Sequence, residues 1–408
     1  MNKSIRSGGV VPNVRVPATF AQIYEAWQKA RKRKKPSISR WRFERRWLDS
    51  LAQLTETLNA GCWQPRHTQC FVVTRPKTRE VHAPDFADRV LHHWLVPRLE
   101  AVFEPGFIGD SYANRHGKGS HAAVRRLQHF MRQRQDGIDA LRGGGYALKL
   151  DVHNCFNRIH RPTLYMQLVA GLDKAVRRGK LAQCDALALR SLCHSLLRAP
   201  TQTHCVTPLA QAALPPHKRL DRAPPGCGIP VGNLSSQFFV NVYMDRLDQF
   251  VKHTLKVRHY IRFVDDLVLL GSSPQQLADW HQQIAGFLNA QLRLNLREEA
   301  PIAAIRDGLA FLGYRVYPTH LLVGHRALKH CREVLASFEQ NYSKSQCDLQ
   351  TGEPWRTWWS SPADCARLSQ QMASYRGHFG HAKSWRLQQK LHKRFAWLAQ
   401  LLDSALPA

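Results

Sequence analysis

Residues 259–271 read HYIRFVDDLVLLG. Two short apolar runs flank a pair of aspartates, the pattern of two strands joined by a tight acidic turn. Apolar neighbours on both sides would bury Asp265 and Asp266, and ionised carboxylates are costly to bury unless cations compensate them. An Asp-Asp pair at a hairpin is, by itself, an ordinary turn. Residues 146–152, YALKLDV, read as a buried strand that ends on a third such acid, Asp151. Oxygen ligands suit Mg2+, and two such ions about 3.5–4 Å apart can neutralise an attacking and a leaving oxygen together.

Acids matter more here because they are scarce. The chain has 408 residues, with Lys+Arg 59 against Asp+Glu 30 and a formal net charge of +29. That balance does not suit an ordinary metabolic enzyme, and 44% hydrophobic residues exclude disorder throughout. A positive field of this size attracts polyanions, nucleic acid first, with an anionic membrane surface as the rival. No uninterrupted apolar run approaches the roughly 20 residues of a spanning helix. The opening MNKSIRSGGVVPNV lacks an apolar leader core, so a cytoplasmic protein without membrane attachment is expected. Ten cysteines lie scattered without a C-x-x-C pair, which argues against zinc, haem and a disulfide framework.

Outward from the acidic hairpin, the pattern on the N-terminal side is helical over 232–255, with Phe238, Phe239, Val242, Leu247, Phe250 and Val251 at helical spacing. Before it lies a Pro-, Thr- and Cys-rich excursion at about 200–227. Earlier still come β-rich segments around CFVVTRPKTREVHAP (70–84), a helix over 86–103 and a Gly/Lys loop, DSYANRHGKGS (110–120), that opens another helix. A basic arm, RKRKKPSISRWRFERR (31–46), precedes them. The last eighty or so residues read as helical, carry the Trp cluster WRTWW (355–359), and hold six Lys/Arg and no acid between 371 and 400, a face suited to a phosphate backbone.

Four motifs occur in a telling order. Phe156 follows Asp151 by five residues; GIPVGNLSSQ (228–237) lies between the acidic segments; DGLAFLGY (307–314) follows them. This series resembles the palm of reverse transcriptases. RPKTREVHAP, FADRVLHHWL and FIGDSYANRHGKGSHAA resemble the fingers of bacterial enzymes of the group II intron, retroelement and phage-defence lineages. VGNLSSQ is most similar to diversity-generating retroelement enzymes. The resemblance covers about 65–318 and, more faintly, SYRGHFGHAKSWRL (374–387). It implies an α+β right-hand polymerase: a basic helical extension (1–60), fingers (61–145), a palm with antiparallel sheet and helices (146–320, insertion near 171–227) and a helical basic thumb (321–408).

The resemblance also implies roles. Asp151, Asp265 and Asp266 would be the catalytic metal ligands for two Mg2+ ions, with Mn2+ as a substitute. Lys77, Arg79, Arg115, Phe156, Gly232 and Gln237 would bind the incoming nucleotide, Phe156 favouring a deoxyribose. Phe311, Gly313 and Tyr314, a strand in this reading, would support primer and template together with Arg376, Lys383 and Arg386. The implied activity is RNA-directed DNA polymerisation from dNTPs on an RNA template, a structured noncoding RNA, giving a DNA product in phage defence or gene diversification. An accessory protein or an oligomer would be the protein partner. A catalytically degenerate RNA-binding palm and an RNA-dependent RNA polymerase are the alternatives. Three departures stand out: Phe263 replaces the usual Tyr, Val231 replaces a Gln, and LNLREEAP (294–301) offers Arg297 but no lysine to assist pyrophosphate departure.

Overall fold

The computed structural model describes residues 14–32, 36–74, 77–135, 144–199, 204–347 and 354–398. The opening MNKSIRSGGVVPN, the middle of the basic arm (33–35), Arg75 and Pro76, part of the excursion (200–203), the last ten residues, and the side chains of Trp355 and Arg356 lie outside the described residues. In chain order the helices are α1 (Phe20–Arg31), α2 (Ile38–Arg45), α3 (Trp47–Asn59), α4 (Phe86–Phe103), α5 (Ser120–Gln135), α6 (Cys155–Arg158), α7 (Arg161–Arg177), α8 (Gln183–Arg198), α9 (Pro208–Ala212), α10 (Leu234–Gln249), α11 (Pro274–Leu292), α12 (His325–Tyr342), α13 (Pro362–Phe379) and α14 (Trp385–Arg394). The strands are β1 (Gln69–Val73), β2 (Arg79–Ala83), β3 (Tyr146–Asp151), β4 (His204–Cys205), β5 (Tyr260–Phe263), β6 (Asp266–Gly271), β7 (Ile302–Ala304), β8 (Leu309–Phe311), β9 (Tyr314–Val316), β10 (Leu321–Val323), β11 (Ser343–Cys347) and β12 (Pro354–Trp358). Helices with mostly antiparallel sheets make the α+β class expected from the sequence.

The chain divides into two compact units, each discontinuous in sequence. The first comprises Met1–His116, Leu150–Leu267 and Asp279–Ala300. Its N-terminal helices follow directly from residue spacing. Thr19 and Gln22 close a capping box on α1, which buries Ile23, Ala26, Trp27 and Ala30 on one side. α3 buries Leu51, Leu54 and Leu58, each side chain contributing about 1.5–3 kcal/mol of hydrophobic stabilisation. α3 packs on α1, and α1 rests against α4, which is capped by Asp85 and is buried around most of its circumference. α10 is similarly enclosed, from Ser235 through Asp248. β1, β2 and β4 form a sheet in the order β2-β1-β4, with β1 and β2 antiparallel and β4 parallel to β1. The β5–β6 hairpin begins in this unit.

The second unit comprises Gly117–Lys149, Val268–Ala278 and Pro301–Ala408. Here β6, β3 and β7 lie side by side in that order, with Leu148 opposite Ile302 and Tyr146 opposite Ala304. A small β8-β9-β10 meander follows. Helices α12, α13 and α14 enclose a core of Cys331, Leu335, Phe338, Leu368, Met372, Phe379 and Leu391. The Trp cluster departs from the helical expectation: Pro354–Trp358 is a strand, paired antiparallel with β11, Ser343 facing Trp358. Alternation explains it, since Thr357 is exposed while Trp358 turns inward to meet Trp397 at 4.8 Å between ring centroids. No described helix is long and apolar enough to cross a membrane.

Candidate active site

The acidic hairpin is built on a buried ion pair. Tyr260, Ile261 and Arg262 of β5 are all fully buried, so Arg262 needs a partner within the protein. It has Asp248 on α10: Nε lies 2.8 and 2.9 Å from the two carboxylate oxygens and Nη2 2.7 Å from Oδ2. Tyr260 donates its hydroxyl to the same carboxylate at 2.8 Å, and the guanidinium also reaches Asn241 and Ser111. The remaining Nη1 donor points to the carbonyl of Val264 at 3.3 Å. Val264 opens the turn with φ +57, a left-handed conformation that costs a β-branched residue about 1–3 kcal/mol. The strained turn places Asp265 at the tip and starts β6 on Asp266.

Asp151 arrives at this tip through the backbone. The amide of Val152 donates to the carbonyl of Asp265 at 3.1 Å, so the end of β3 lies directly against the turn. On the other side, Val152 bridges Leu296, and Arg297 donates its amide to the Asp151 carbonyl at 2.9 Å. That contact brings the Arg297 side chain alongside: its Nε is 2.7 Å from Asp151 Oδ1 as an ion pair, about half-exposed.

Three carboxylates thus meet around one strand end. Burial, then the charges of Asp266 and Asp151, push the Asp265 carboxyl up to about 6, while Lys77 pulls weakly the other way. Burial and the neighbouring Asp265 likewise push the Cys155 thiol up. The cluster gathers three carboxylates beside one ion-paired guanidinium, and its donors are all carboxylate oxygens. These residues fit a hard divalent cation.

The other sequence candidates in this unit fall into separate places. Lys77 and Arg79 are exposed, at the turn and first position of β2. Phe156 is half-buried in the single turn α6, which starts from Asn154 in the left-handed region, and its carbonyl accepts from Ile229 at 3.0 Å. Gly232 has φ +117, and a Cβ there would sit 2.8 Å from the His82 carbonyl and 2.9 Å from Val81 Cγ1. Its close approach is to β2 of the chain itself. Gln237 is half-buried in the first turn of α10. Arg115 is different from the expectation: it is nearly buried, ion-paired with Glu104 at 2.7 Å, and donates to the carbonyls of Ile108 and Ser111. A fork already closed by a carboxylate and two carbonyls has little left for a phosphate.

In the second unit, Phe311 and Tyr314 are buried ends of β8 and β9, and Leu312–Gly313 is the turn between them. Both turn residues have positive φ, +47 and +88, as a two-residue type I′ hairpin requires. The segment expected as a strand is thus a hairpin tip. Tyr314 donates its hydroxyl to the His378 carbonyl at 2.9 Å. Arg376, Lys383 and Arg386 are exposed on α13, the following loop and α14.

Sequence reading missed Asp248 and Arg262. Their partnership joins a helix to a strand, and the only local hint is a charged residue inside the otherwise apolar run Tyr260–Phe263.

Known proteins resemble this chain over much of its length. Protein YkfC of Escherichia coli K12 is 22% identical over 298 residues, 64% of this chain and 70% of that protein. The mitochondrial nuclear intron maturase 4 of Arabidopsis thaliana is 24% identical over 240 residues, 59% of this chain and 25% of the maturase. Among solved structures, telomerase of Candida albicans with a fragment of telomeric RNA superposes with a TM-score of 0.43 at 12% identity, covering 78% of this chain and 55% of that one. The chain thus spans about a quarter of the maturase and little more than half of the telomerase. Residues 73–316, more than half of the chain, match the family described as reverse transcriptase (RNA-dependent DNA polymerase), and the chain belongs to that family.

Proposed function

We propose that this protein extends a primer with dNTPs on an RNA template, using Asp151, Asp265 and Asp266 as its catalytic carboxylates. The observation that carries the reading is the meeting of those acids at the end of β3, with Val152 bonded to Asp265. In the reaction the primer 3′-hydroxyl attacks the α-phosphorus of a dNTP, its proton passes to water, a P–O bond forms, and the bond to pyrophosphate breaks. Two Mg2+ ions held by the three aspartates, when bound, supply the positive charge that the attacking and leaving oxygens need. Lys77 and Arg79 grip the triphosphate with charge-assisted hydrogen bonds. Phe156 packs against the sugar where a ribose would carry its 2′-hydroxyl. Gly232 and Gln237 shape the approach to the base pair.

In the same reading the chain is a right hand with fingers over 61–145, palm over 146–320 and thumb over 321–408. Phe311, Gly313 and Tyr314 support the primer, and Arg376, Lys383 and Arg386 neutralise backbone phosphates. The template is a dedicated noncoding RNA of a bacterial phage-defence or diversity-generating system, copied in the cytoplasm. Primer extension by the purified chain tests the activity: template-dependent DNA synthesis with Mg2+ is expected. RNA binding without synthesis would leave a degenerate palm, and preference for ATP over dATP an RNA polymerase. Sequencing the co-purifying nucleic acid tests the template, with one enriched RNA and its complementary DNA expected.

A further inference from the structure

The sheet β2-β1-β4 carries a second cluster of chemistry-bearing side chains. Side chains alternate along a strand, and directly paired residues share a face. The register sets Cys70 opposite His82 on the antiparallel side and beside Cys205 on the parallel side. Glu80, two residues before His82, points to the same face. One face of three short strands therefore presents two thiols, an imidazole and a carboxylate. Cys70, Glu80 and His82 are buried, at 0%, 4% and 2% exposure.

Their geometry is close to that of a ligand set. The candidate ligand atoms of Cys70, Glu80 and His82 all lie within 4.8 Å of one another, and His82 Nε2 is 3.4 Å from Glu80 Oε2. A tetrahedral zinc ion with bonds of about 2.0–2.3 Å has ligand-to-ligand edges of roughly 3.3–3.8 Å. Cys205, paired with Cys70 across β1 and β4, lies outside that set and would turn toward it to supply the fourth corner. The carboxylate is also held in orientation from behind: Gln211 Nε2 donates to Oε1 at 2.7 Å and the amide of Leu220 to Oε2 at 2.8 Å. Ligating groups characteristically have such outer partners.

We propose that Cys70, Glu80 and His82, with Cys205 as fourth ligand, bind a structural Zn2+ ion. Two sulfur donors and an imidazole select a borderline-soft metal and disfavour Mg2+. The ion would tie β1, β2 and β4 together at a point where each pair of strands is short. Arg79 directly precedes Glu80, so the tie fixes the base of the hairpin that carries Lys77 and Arg79. It also steadies the strand on which Gly232 rests, because the His82 amide donates to the Val231 carbonyl at 2.7 Å. The scattered cysteines, which argue against zinc by their spacing in sequence, are brought into one site by strand register.

Metal content of the full-length protein tests this without recourse to polymerase activity. After reconstitution with Zn2+ and removal of free metal, elemental analysis should find one zinc per chain. Co2+ in its place should give a thiolate-to-metal charge-transfer band. Cys70→Ala and His82→Ala should each lower bound zinc at least tenfold. Should those variants fail to fold, alkylation of the wild-type chain decides: the half-buried Cys205 should be protected with zinc bound and react after chelation, while the exposed Cys62 and Cys184 react in both states. Absence of zinc after reconstitution, variants that hold as much as the wild type, chelation that leaves the reactivity of Cys205 unchanged, or a Cys70–Cys205 disulfide in the purified protein would each overturn the site.

Discussion

The β5–β6 hairpin meets a lone carboxylate, Asp248 of α10, and a carboxylate cluster at its own turn, and the protein treats the two in opposite ways. Asp248 is fully buried and fully answered: Arg262 spans both its oxygens and Tyr260 adds a third donor. Asp265, at the turn, has two further carboxylates for neighbours, and a backbone hydrogen bond and the charge of Lys77 pull less strongly the other way. A buried acid closed by guanidinium contributes to architecture; an acid cluster left negative is prepared to receive a cation from outside. Arg262 links the two, since the guanidinium that closes Asp248 also holds the Val264 carbonyl of the strained turn. The inner pair shapes the hairpin, and the outer cluster uses the shape.

The largest effect should come from removing one outer acid. Asp265→Asn keeps the shape but removes a charge, and loss of several kcal/mol of transition-state stabilisation corresponds to about 10³-fold or more in primer extension. RNA affinity, measured by filter binding, should change little. Equal loss of synthesis and of RNA affinity would place Asp265 in folding or template binding instead.

The inner pair should respond in stability. Asp248→Ala strands a buried guanidinium, for which about 3–5 kcal/mol is expected, read from the urea midpoint at constant slope. Replacing both partners by apolar residues, Asp248→Leu with Arg262→Met, should restore much of that stability, because the pair's desolvation is then avoided as well. If the single variant is as stable as the wild type, the network is not what holds the hairpin.

How much of this was legible beforehand depended on whether a feature is local. Asp151 and the Asp265–Asp266 pair could be read because each ends or interrupts an apolar run, and burial makes such an acid conspicuous. The span of α4 also follows from its own residues, between the Asp85 cap and the Pro105-Gly106 break. The Asp248–Arg262 pair could not be read, since helix and strand positions 14 residues apart meet only through tertiary packing. Cys70, Glu80 and His82 were hidden for a related reason: their spacing has meaning only once β1 and β2 are placed in register. Arg115 misled because a Gly/Lys loop suggests phosphate, while the Glu104 that closes its fork lies in the preceding turn. The Trp355–Trp359 cluster misled because a strand within a run of helices leaves only a short alternation to read.

A smaller effect of opposite sign separates Asp265 from Asp248 further. Asp265 has its carboxyl raised to about 6 in the folded chain from an ordinary 3.8, so folding favours its protonated form. The associated stability is complete below the ordinary value and is lost as pH rises through about 6. At pH 7 without divalent cations, Asp265→Asn should therefore be more stable than the wild type by about 1–3 kcal/mol, taking 1.36 kcal/mol per unit and discounting for partial solvation. The advantage should vanish near pH 4. Added Mg2+ should stabilise the wild type and not the variant. A variant that is less stable at pH 7 would mean that Asp265 is already compensated, and the contrast with Asp248 would disappear.

The smallest effect concerns Arg297, which is ion-paired with Asp151 in the outer cluster. With about half of its side chain exposed, the pair should contribute only about 0–1 kcal/mol, and Arg297→Gln should leave the urea midpoint almost unmoved. Its consequence lies in competition. A guanidinium held at Asp151 Oδ1 opposes a divalent cation for the same oxygen, and an energy of that size corresponds to at most about a fivefold shift in binding. The Mg2+ concentration for half-maximal primer extension should accordingly fall by roughly two- to fivefold in the variant. If it rises instead, with a weaker apparent affinity for dNTP, Arg297 does not compete for Asp151 during turnover but leaves it to meet the triphosphate. The outer cluster would then exchange one cation for another within each cycle, whereas the inner carboxylate has its cation built into the fold.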